Sequence, residues 1–248
     1  MSDTPKTALV TGSGQNIGRA IALHLAERGF NVVINGSSQQ APCEEVAEQA
    51  RALGAEAVVV MANVGVADDV SRLVRTAIDT FGGVDVLVNN AAVRPSAPFL
   101  EVSDEEWQRV IDIDFTAAVR LSRACLPGMI DRGWGRIINF TGMNAQQGYP
   151  GKAHVTVAKH AVWGLTKSLS KEFGPHGITT NIISPGTIVG EAVESHSMAS
   201  KLDELLSKNP AGRLGQPDDI AAMVDLLVSE NGGFINGQLL QINGGVVN

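Results

Sequence analysis

A glycine-rich turn near the N-terminus has the residue types that bind a pyrophosphate. The turn Thr11-Gly12-Ser13-Gly14-Gln15-Asn16-Ile17-Gly18 follows an apolar run that we predict as a strand and precedes a helical stretch ending at Gly29. Glycines in such a turn let the backbone approach a phosphate, and the N–H groups at the start of the following helix attract its negative charge. Because the turn has this strand–turn–helix context, it indicates a dinucleotide site.

Short β-branched runs alternate with amphipathic stretches along the chain. Some of these runs are apolar throughout, which is typical of strands that are covered on both faces. The predicted strands are Ala8–Thr11, Asn31–Asn35, Ala57–Met61, Val84–Asn89, Arg136–Thr141, Thr179–Ser184 and Gln238–Ile242. This alternation predicts a single Rossmann-type α/β domain over residues 1–248, with a doubly wound parallel sheet of about seven strands and helices on both faces.

Helix boundaries and one irregular segment also stand out in the sequence. Ser103 and Glu106, three residues apart, form a capping-box pattern that opens a long helix towards Ile130. Pro217 is expected at the start of the last helix. The segment 187–210 is less regular and more polar, and we predict that it forms a substrate flap over the site.

The glycine-rich turn resembles that of the short-chain dehydrogenase/reductase family. The family pattern Thr-Gly-x-x-x-Gly-x-Gly is matched at Thr11, Gly12 and Gly18, while Asn16 occupies the position of the middle glycine. Gly14 lies two residues before Asn16 and adds flexibility to the turn.

Three further segments extend the resemblance over nearly the whole chain. Asn89-Asn90-Ala91-Ala92 resembles the family's Asn-Asn-Ala-Gly, with the last glycine changed. Pro185-Gly186 resembles the segment that holds the nicotinamide carboxamide, although the family's later threonine is Gly190 here. The stretch from Arg213 to Gly245 resembles the C-terminal segment of the family.

The resemblance implies a nicotinamide dinucleotide as cofactor. NAD-preferring members carry an acidic residue after the second strand, whereas this chain has Gly36, Ser37 and Ser38 there. Since no carboxylate would repel a 2′-phosphate, we favour NADP over NAD; the alternative is that the two serines form a solvated turn. The expected cofactor-binding residues are Gly12, Gly14, Asn16, Ile17, Gly18, Ser37, Ser38, Asn63, Val64, Asn90, Ala91, Lys159, Pro185, Gly186 and Ile188.

The resemblance also implies an active site built from an asparagine, a serine, a tyrosine and a lysine. In the family, the tyrosine hydroxyl supplies a proton, the lysine lowers the pKa of that tyrosine and holds the nicotinamide ribose, and the serine stabilises the oxyanion. Lys159 fits the lysine position. The tyrosine position is Val155, the serine position is Gly142, and the asparagine position is Asp114.

Other side chains could replace the missing hydroxyl groups. The one tyrosine, Tyr149, is followed four residues later by an alanine, so the chain has no Tyr-x-x-x-Lys sequence. We expect Asn144 to point to the site if the chain stays extended after the fifth strand, Thr141 to point away from it, and His154 to lie on the helix surface or at a subunit contact. The catalytic candidates are Lys159, Asp114, Asn144 and Tyr149.

Composition narrows the class of partner. The formal net charge is −7 with acidic and basic residues interspersed, which argues against nucleic-acid binding, and no basic amphipathic helix indicates a membrane surface. The N-terminus has no signal-peptide pattern and no stretch reaches the about 18 apolar residues of a spanning helix, so we predict a cytoplasmic protein. Cys43 and Cys125 match no metal-ligand spacing and are expected to be buried; we predict no metal.

Three functions remain open at this stage. The first is an NAD(P)-dependent oxidoreductase with a non-standard active site that acts on a small carbonyl or alcohol substrate. The second is a catalytically silent cofactor-binding or partner subunit that pairs with an active chain. The resemblance implies that the chain forms a homo-oligomer, a dimer or tetramer, because family members usually assemble through two long helices, here 103–131 and 152–173. The third is a non-redox elimination or hydration, with Arg94 holding an anionic substrate.

Overall fold

A parallel sheet forms the centre of the molecule. The computed structural model describes residues 5–190 and 203–247. The strands in these residues are β1 Thr7–Val10, β2 Asn31–Gly36, β3 Ala57–Met61, β4 Val86–Asn89, β5 Gly135–Phe140, β6 Ile178–Pro185 and β7 Leu239–Ile242. They pair in parallel in the order β3-β2-β1-β4-β5-β6-β7, so the predicted Rossmann-type sheet is confirmed, with each strand end within two residues of its predicted position.

Helices follow most of the strands. Their bounds are α1 Asn16–Glu27, α2 Gln40–Ala52, α3 Ala67–Phe81, α4 Asp104–Ile111, α5 Ala117–Arg132, α6 Met143–Gln147, α7 Ala153–Phe173 and α8 Pro217–Val228. Ser103 caps α4 by accepting the N–H of Glu106 at 3.2 Å, and Pro217 opens α8, both as predicted. The predicted long helix after Ser103 is interrupted by a turn of π-helix, Asp112–Thr116, between α4 and α5.

The strands place alternate side chains on the two faces of the sheet. In β1, Ala8 and Val10 pack against α1, α2 and α8, whereas Leu9 packs on the opposite side against α3 and α5. Both faces of β1 are therefore buried in apolar side chains, which explains why residues 8–10 are all apolar. Cys43 and Cys125 are free and buried in these two layers, as predicted.

The strand order positions the site. The order reverses between β1 and β4, which lie side by side, and such a reversal opens a crevice at the carboxyl ends of the strands. The glycine-rich turn leaves β1 at this edge, and Asn90 follows β4 at the same edge. No helix among the described residues is long and apolar enough to cross a membrane. Part of the predicted substrate flap 187–210, namely residues 191–202, lies outside the described residues.

Candidate active site

The glycine-rich turn requires two residues in the left-handed region of backbone conformation. Gly12 has φ +62°, where glycine carries no steric penalty. Asn16 has φ +49°, and asparagine is among the side chains that tolerate this conformation best. The backbone at the family's middle glycine position is therefore kept, although an asparagine occupies it.

The side chains of Thr11 and Asn90 hold the turn against β4. The Thr11 hydroxyl accepts the N–H groups of Asn90 and Ala91, both at 3.0 Å, and donates to the carbonyl of Val88 at 3.2 Å. The Asn90 amide donates in return to the carbonyls of Thr11 and Gly12, at 2.9 and 3.1 Å. These bonds fix the spacing between the two strands that flank the crevice.

Substitution of Gly18 by alanine tests how closely the turn packs. A Cβ atom at Gly18 would overlap the carbonyl oxygen of Gly12 and would lie 2.6 Å from the Asn90 amide nitrogen, so the turn must shift. We expect Gly18→Ala to lower the free energy of unfolding by about 1–3 kcal/mol and to weaken dinucleotide binding. Urea unfolding and a binding titration measure both effects. The control is Gly164→Ala in α7, where an added Cβ meets no atom within 4 Å; equal losses in both variants would contradict this account.

An outer cavity of about 450 Å³ follows the glycine-rich turn. The N-terminus of α1 opens into it with no side-chain cap and no acidic residue in its first turn, so its N–H groups can donate hydrogen bonds to an anion. The cavity fits the diphosphate of a dinucleotide. The predicted cofactor residues that line it are Gly12, Gly14, Asn16, Ile17, Gly18, Ser37, Ser38, Asn90 and Ala91.

Asn35 is a lining residue that the sequence reasoning missed. It follows the three apolar residues of β2, precedes Gly36 and is buried. Its Oδ1 accepts the N–H of Gly12 at 3.3 Å, while its amide donates to the carbonyls of Val60 and Ala62, both at 3.1 Å. A polar residue at the end of a buried strand was the available signal.

Asn63 and Val64 do not line the outer cavity, contrary to the expectation from the family. Asn63 is exposed, and its Oδ1 accepts the N–H of Gly65 at 3.0 Å. Val64 is packed in the core beside β3. The turn after β3 thus directs one side chain to solvent and the other inward.

An inner cavity of similar volume, about 450 Å³, adjoins the outer one. The two cavities share Asn16, Ile17 and Arg94. Lys159 from α7 reaches the inner cavity. The end of β6 and the residues after it form another part of the wall, with Pro185, Gly186 and Ile188, so the structure brings these predicted cofactor residues together.

Lys159 and Asp114 form a buried ion pair beside the inner cavity. The Lys159 Nζ lies 3.1 Å from the Asp114 Oδ2, and their side chains are 6% and 0% exposed. The other carboxylate oxygen, Oδ1, accepts the N–H of Val93 at 2.8 Å. Burial lowers the pKa of Lys159, an effect that the charge of Asp114 opposes. Asp114 lies within the π-helical turn. The structure thus brings together Asp114 and Lys159, two of the four catalytic candidates.

Two positions facing the inner cavity carry no hydroxyl. Val155 lies one helical turn before Lys159 on α7, and Gly142 precedes α6; both line the cavity. The backbone at Gly142 is extended, with φ −177°, and an added Cβ would meet no atom within 4 Å. The structure therefore has space at Gly142 for a side chain that the sequence does not supply.

Thr141 and Asn144 differ from their predicted conformations. Thr141 was expected to face away, but β5 ends at Phe140 and Thr141 lines the inner cavity. Asn144 also lines the cavity, although it does so from the helix α6 rather than from an extended chain.

His154 and Tyr149 are placed differently from what we expected. The prediction that His154 lies on the helix surface is wrong, because its side chain is fully buried. The His154 ring stacks on Trp107 of α4, with the ring centroids 6.1 Å apart. Tyr149 lies in the connection between α6 and α7, is 54% exposed and does not line the inner cavity. The expectation of Tyr149 at the site is therefore not supported by its position.

Known proteins resemble this chain over nearly its full length. Residues 12–247 match the family model described as enoyl-(acyl carrier protein) reductase. The chain is 37% identical over 241 residues to the 3-oxoacyl-(acyl-carrier-protein) reductase FabG of Staphylococcus epidermidis, covering 97% of this chain and 98% of that protein. It is 36% identical over 245 residues to the 3-oxoacyl-(acyl-carrier-protein) reductase of Synechocystis, covering 98% of each.

The fold is shared with solved structures as well. A crystal structure of a short-chain alcohol dehydrogenase candidate from Sinorhizobium meliloti superposes with a TM-score of 0.91 at 27% identity, and the match covers 98% of this chain and 96% of that one. The similarity in sequence and in fold to these proteins agrees with the crevice, the glycine-rich turn and Lys159 described above. The chain belongs to the short-chain dehydrogenase/reductase family of oxidoreductases.

Proposed function

We propose that this protein is an NAD(P)-dependent oxidoreductase for a carbonyl or alcohol substrate, with a proton route that does not use a tyrosine hydroxyl. The observation that carries the proposal is the meeting of two cavities at Asn16, Ile17 and Arg94. The outer cavity follows a phosphate-binding turn, and the inner one contains Lys159. The whole chain, residues 1–248, acts as one domain in this proposal.

The cofactor would extend from the outer into the inner cavity. The N-terminus of α1 would bind its diphosphate, because uncapped N–H groups there attract anions. Lys159, Pro185, Gly186 and Ile188 would hold its nicotinamide end. A bound nicotinamide dinucleotide supplies or accepts a hydride.

The substrate would bind in the inner cavity beside the buried ion pair. Lys159 would hold a proton at its Nζ, supported by the Asp114 carboxylate at 3.1 Å, and the Asn144 amide would donate a hydrogen bond to the substrate oxygen. Carbonyl reduction is the favoured reaction because the relatives are named 3-oxoacyl reductases. Loss of the family's general acid typically lowers a rate by about 10²- to 10⁴-fold, so we expect slow turnover.

NADP is the proposed dinucleotide, and Ser37 allows a direct test. Ser37 and Ser38 line the outer cavity after β2, where no carboxylate would repel a 2′-phosphate. A carboxylate cannot be placed at Gly36 without strain, since a Cβ there would lie 2.5 Å from the Cys43 Sγ. We expect Ser37→Asp to weaken NADPH binding about tenfold or more through charge repulsion and to leave NADH binding nearly unchanged.

Fluorescence titration of NADPH and NADH measures this preference. The neutral variant Ser37→Asn serves as the control, because it has nearly the same shape as the aspartate without the charge. If Ser37→Asp weakens NADPH and NADH equally, the 2′-phosphate does not lie at these serines, and the preference for NADP is wrong.

The function itself is tested with the purified wild-type protein. Titration with NAD, NADH, NADP and NADPH should show binding of NADP, NADPH or both, which carry the 2′-phosphate. Incubation of the reduced form with a panel of ketones, aldehydes and 3-oxoacyl thioesters should then decrease the absorbance of the reduced nicotinamide. Bound cofactor without any absorbance change across the panel would contradict the oxidoreductase proposal.

A catalytically silent, cofactor-binding subunit is the second candidate. It is favoured by Val155 and Gly142, which leave the inner cavity without hydroxyls at those two positions. This protein would then need an active partner chain, whereas a homo-oligomer with turnover of its own would exclude the idea. Assembly as a dimer or tetramer and a cytoplasmic location stay predictions.

A further inference from the structure

Arg94 lies at the junction of the two cavities. It follows β4 by a few residues, lines both cavities and is exposed. Within residues 5–190 and 203–247, its guanidinium has neither a carboxylate partner nor a hydrogen bond. A guanidinium presents a planar set of donors that matches a carboxylate or a phosphate.

The backbone on both sides of Arg94 is anchored. The N–H of the preceding Val93 donates to Asp114 at 2.8 Å. The Lys152 Nζ donates to the carbonyl of Arg94 itself and, at 2.9 Å, to that of Pro95. The Arg94 side chain therefore projects from a segment whose position is fixed by the Asp114–Lys159 pair on one side and by the start of α7 on the other.

The charge of the two cavities is positive. Of the described residues that line them, only Arg94 and Lys159 carry a full charge, and no aspartate or glutamate is among them. Asp114 pairs with Lys159, and no carboxylate of the described residues pairs with Arg94. The positive charge of Arg94 lowers the pKa of both Lys152 and Lys159, in each case after the larger effect of burial.

We propose that Arg94 binds the anionic group of the substrate, and that the substrate is a small oxo or hydroxy acid with a free carboxylate. This inference rests on the proposed function and narrows its substrate class. A 3-oxoacyl group, which the names of the relatives describe, carries no free carboxylate that could pair with the guanidinium. The diphosphate of the dinucleotide is a second source of negative charge, and the experiment separates the two.

The test compares a charged probe with a neutral one of nearly the same shape. Acetoacetate and acetoacetamide are titrated by calorimetry into the wild-type protein, with and without saturating NADP. We expect the wild type to bind acetoacetate about tenfold more tightly, in line with one charge-assisted contact, and to lose this preference as salt is raised. Arg94→Gln should abolish the preference, and Arg94→Lys should keep part of it.

Arg75→Gln is the matched control, because Arg75 is an exposed arginine on α3 outside both cavities and the variant changes the net charge equally. Equal wild-type affinities for the two probes, or an unchanged preference in Arg94→Gln, would overturn the inference. It is also overturned if Arg94→Gln weakens NADP as much as acetoacetate, since Arg94 would then bind the cofactor phosphates. Failure of every dinucleotide to bind contradicts the proposed function instead, while the probe titration without NADP still decides the role of Arg94.

Discussion

Replacement of Val155 by tyrosine is expected to increase the rate of carbonyl reduction by about 10²- to 10⁴-fold, the usual contribution of a general acid. Val155 lines the inner cavity one helical turn before Lys159, so a tyrosine there would share a helix face with the ammonium group. Its hydroxyl would supply the proton that the reduced oxygen needs. Initial rates, followed by the absorbance of the reduced nicotinamide with acetoacetate as substrate, measure the gain.

Val155→Phe is the control for the size of the ring, because it differs from Val155→Tyr by the hydroxyl alone. We expect little change in Val155→Phe and a further increase when Gly142→Ser is added to Val155→Tyr, since a side chain at Gly142 meets no atom within 4 Å. The two gains will not multiply, because catalytic groups act as a unit. A wild-type rate equal to that of Val155→Tyr would show that another proton donor already operates.

Lys159→Met is expected to lower the free energy of unfolding by about 3–5 kcal/mol. The substitution leaves the carboxylate of Asp114, whose side chain is 0% exposed, without its cation at 3.1 Å. A buried charge without a partner is costly because the protein interior solvates it poorly. Urea unfolding followed by circular dichroism measures the loss.

The double variant Asp114→Asn with Lys159→Met should regain most of this stability, because it removes the unpaired charge and keeps an acceptor for the N–H of Val93. Lys171→Met, on the exposed side of the same helix, is the matched control and should cost less than about 1 kcal/mol. If the double variant is no more stable than Lys159→Met, the cost arises from lost packing of the lysine side chain and not from the unpaired carboxylate.

The fold was predictable because buried parallel strands have a simple sequence signature. Ala57–Met61 was predicted to the residue, since a short apolar β-branched run is typical of a strand in a parallel sheet. Ser103 likewise predicted a helix start, because a hydroxyl three residues before a glutamate satisfies a free N–H group. These features depend on local sequence alone.

The parts of the site that depend on tertiary packing were not predictable. The π-helical turn Asp112–Thr116 directs Asp114 inward, and no residue pattern in the sequence predicts this turn. His154 is buried because α4 packs on α7 and Trp107 covers the ring, a contact between distant segments. Thr141 and Asn144 depend on where β5 ends and α6 begins, and a shift of one residue there changes the direction of a side chain.

The shared walls of the two cavities have a thermodynamic consequence. A nucleotide in the outer cavity and a small acid in the inner one would meet at the shared wall formed by Asn16, Ile17 and Arg94, so each would alter the surroundings of the other. Coupling of this kind is reciprocal: the factor by which the first molecule changes the affinity for the second equals the factor in the opposite direction. Affinities measured for either one alone will therefore differ from those in the ternary complex.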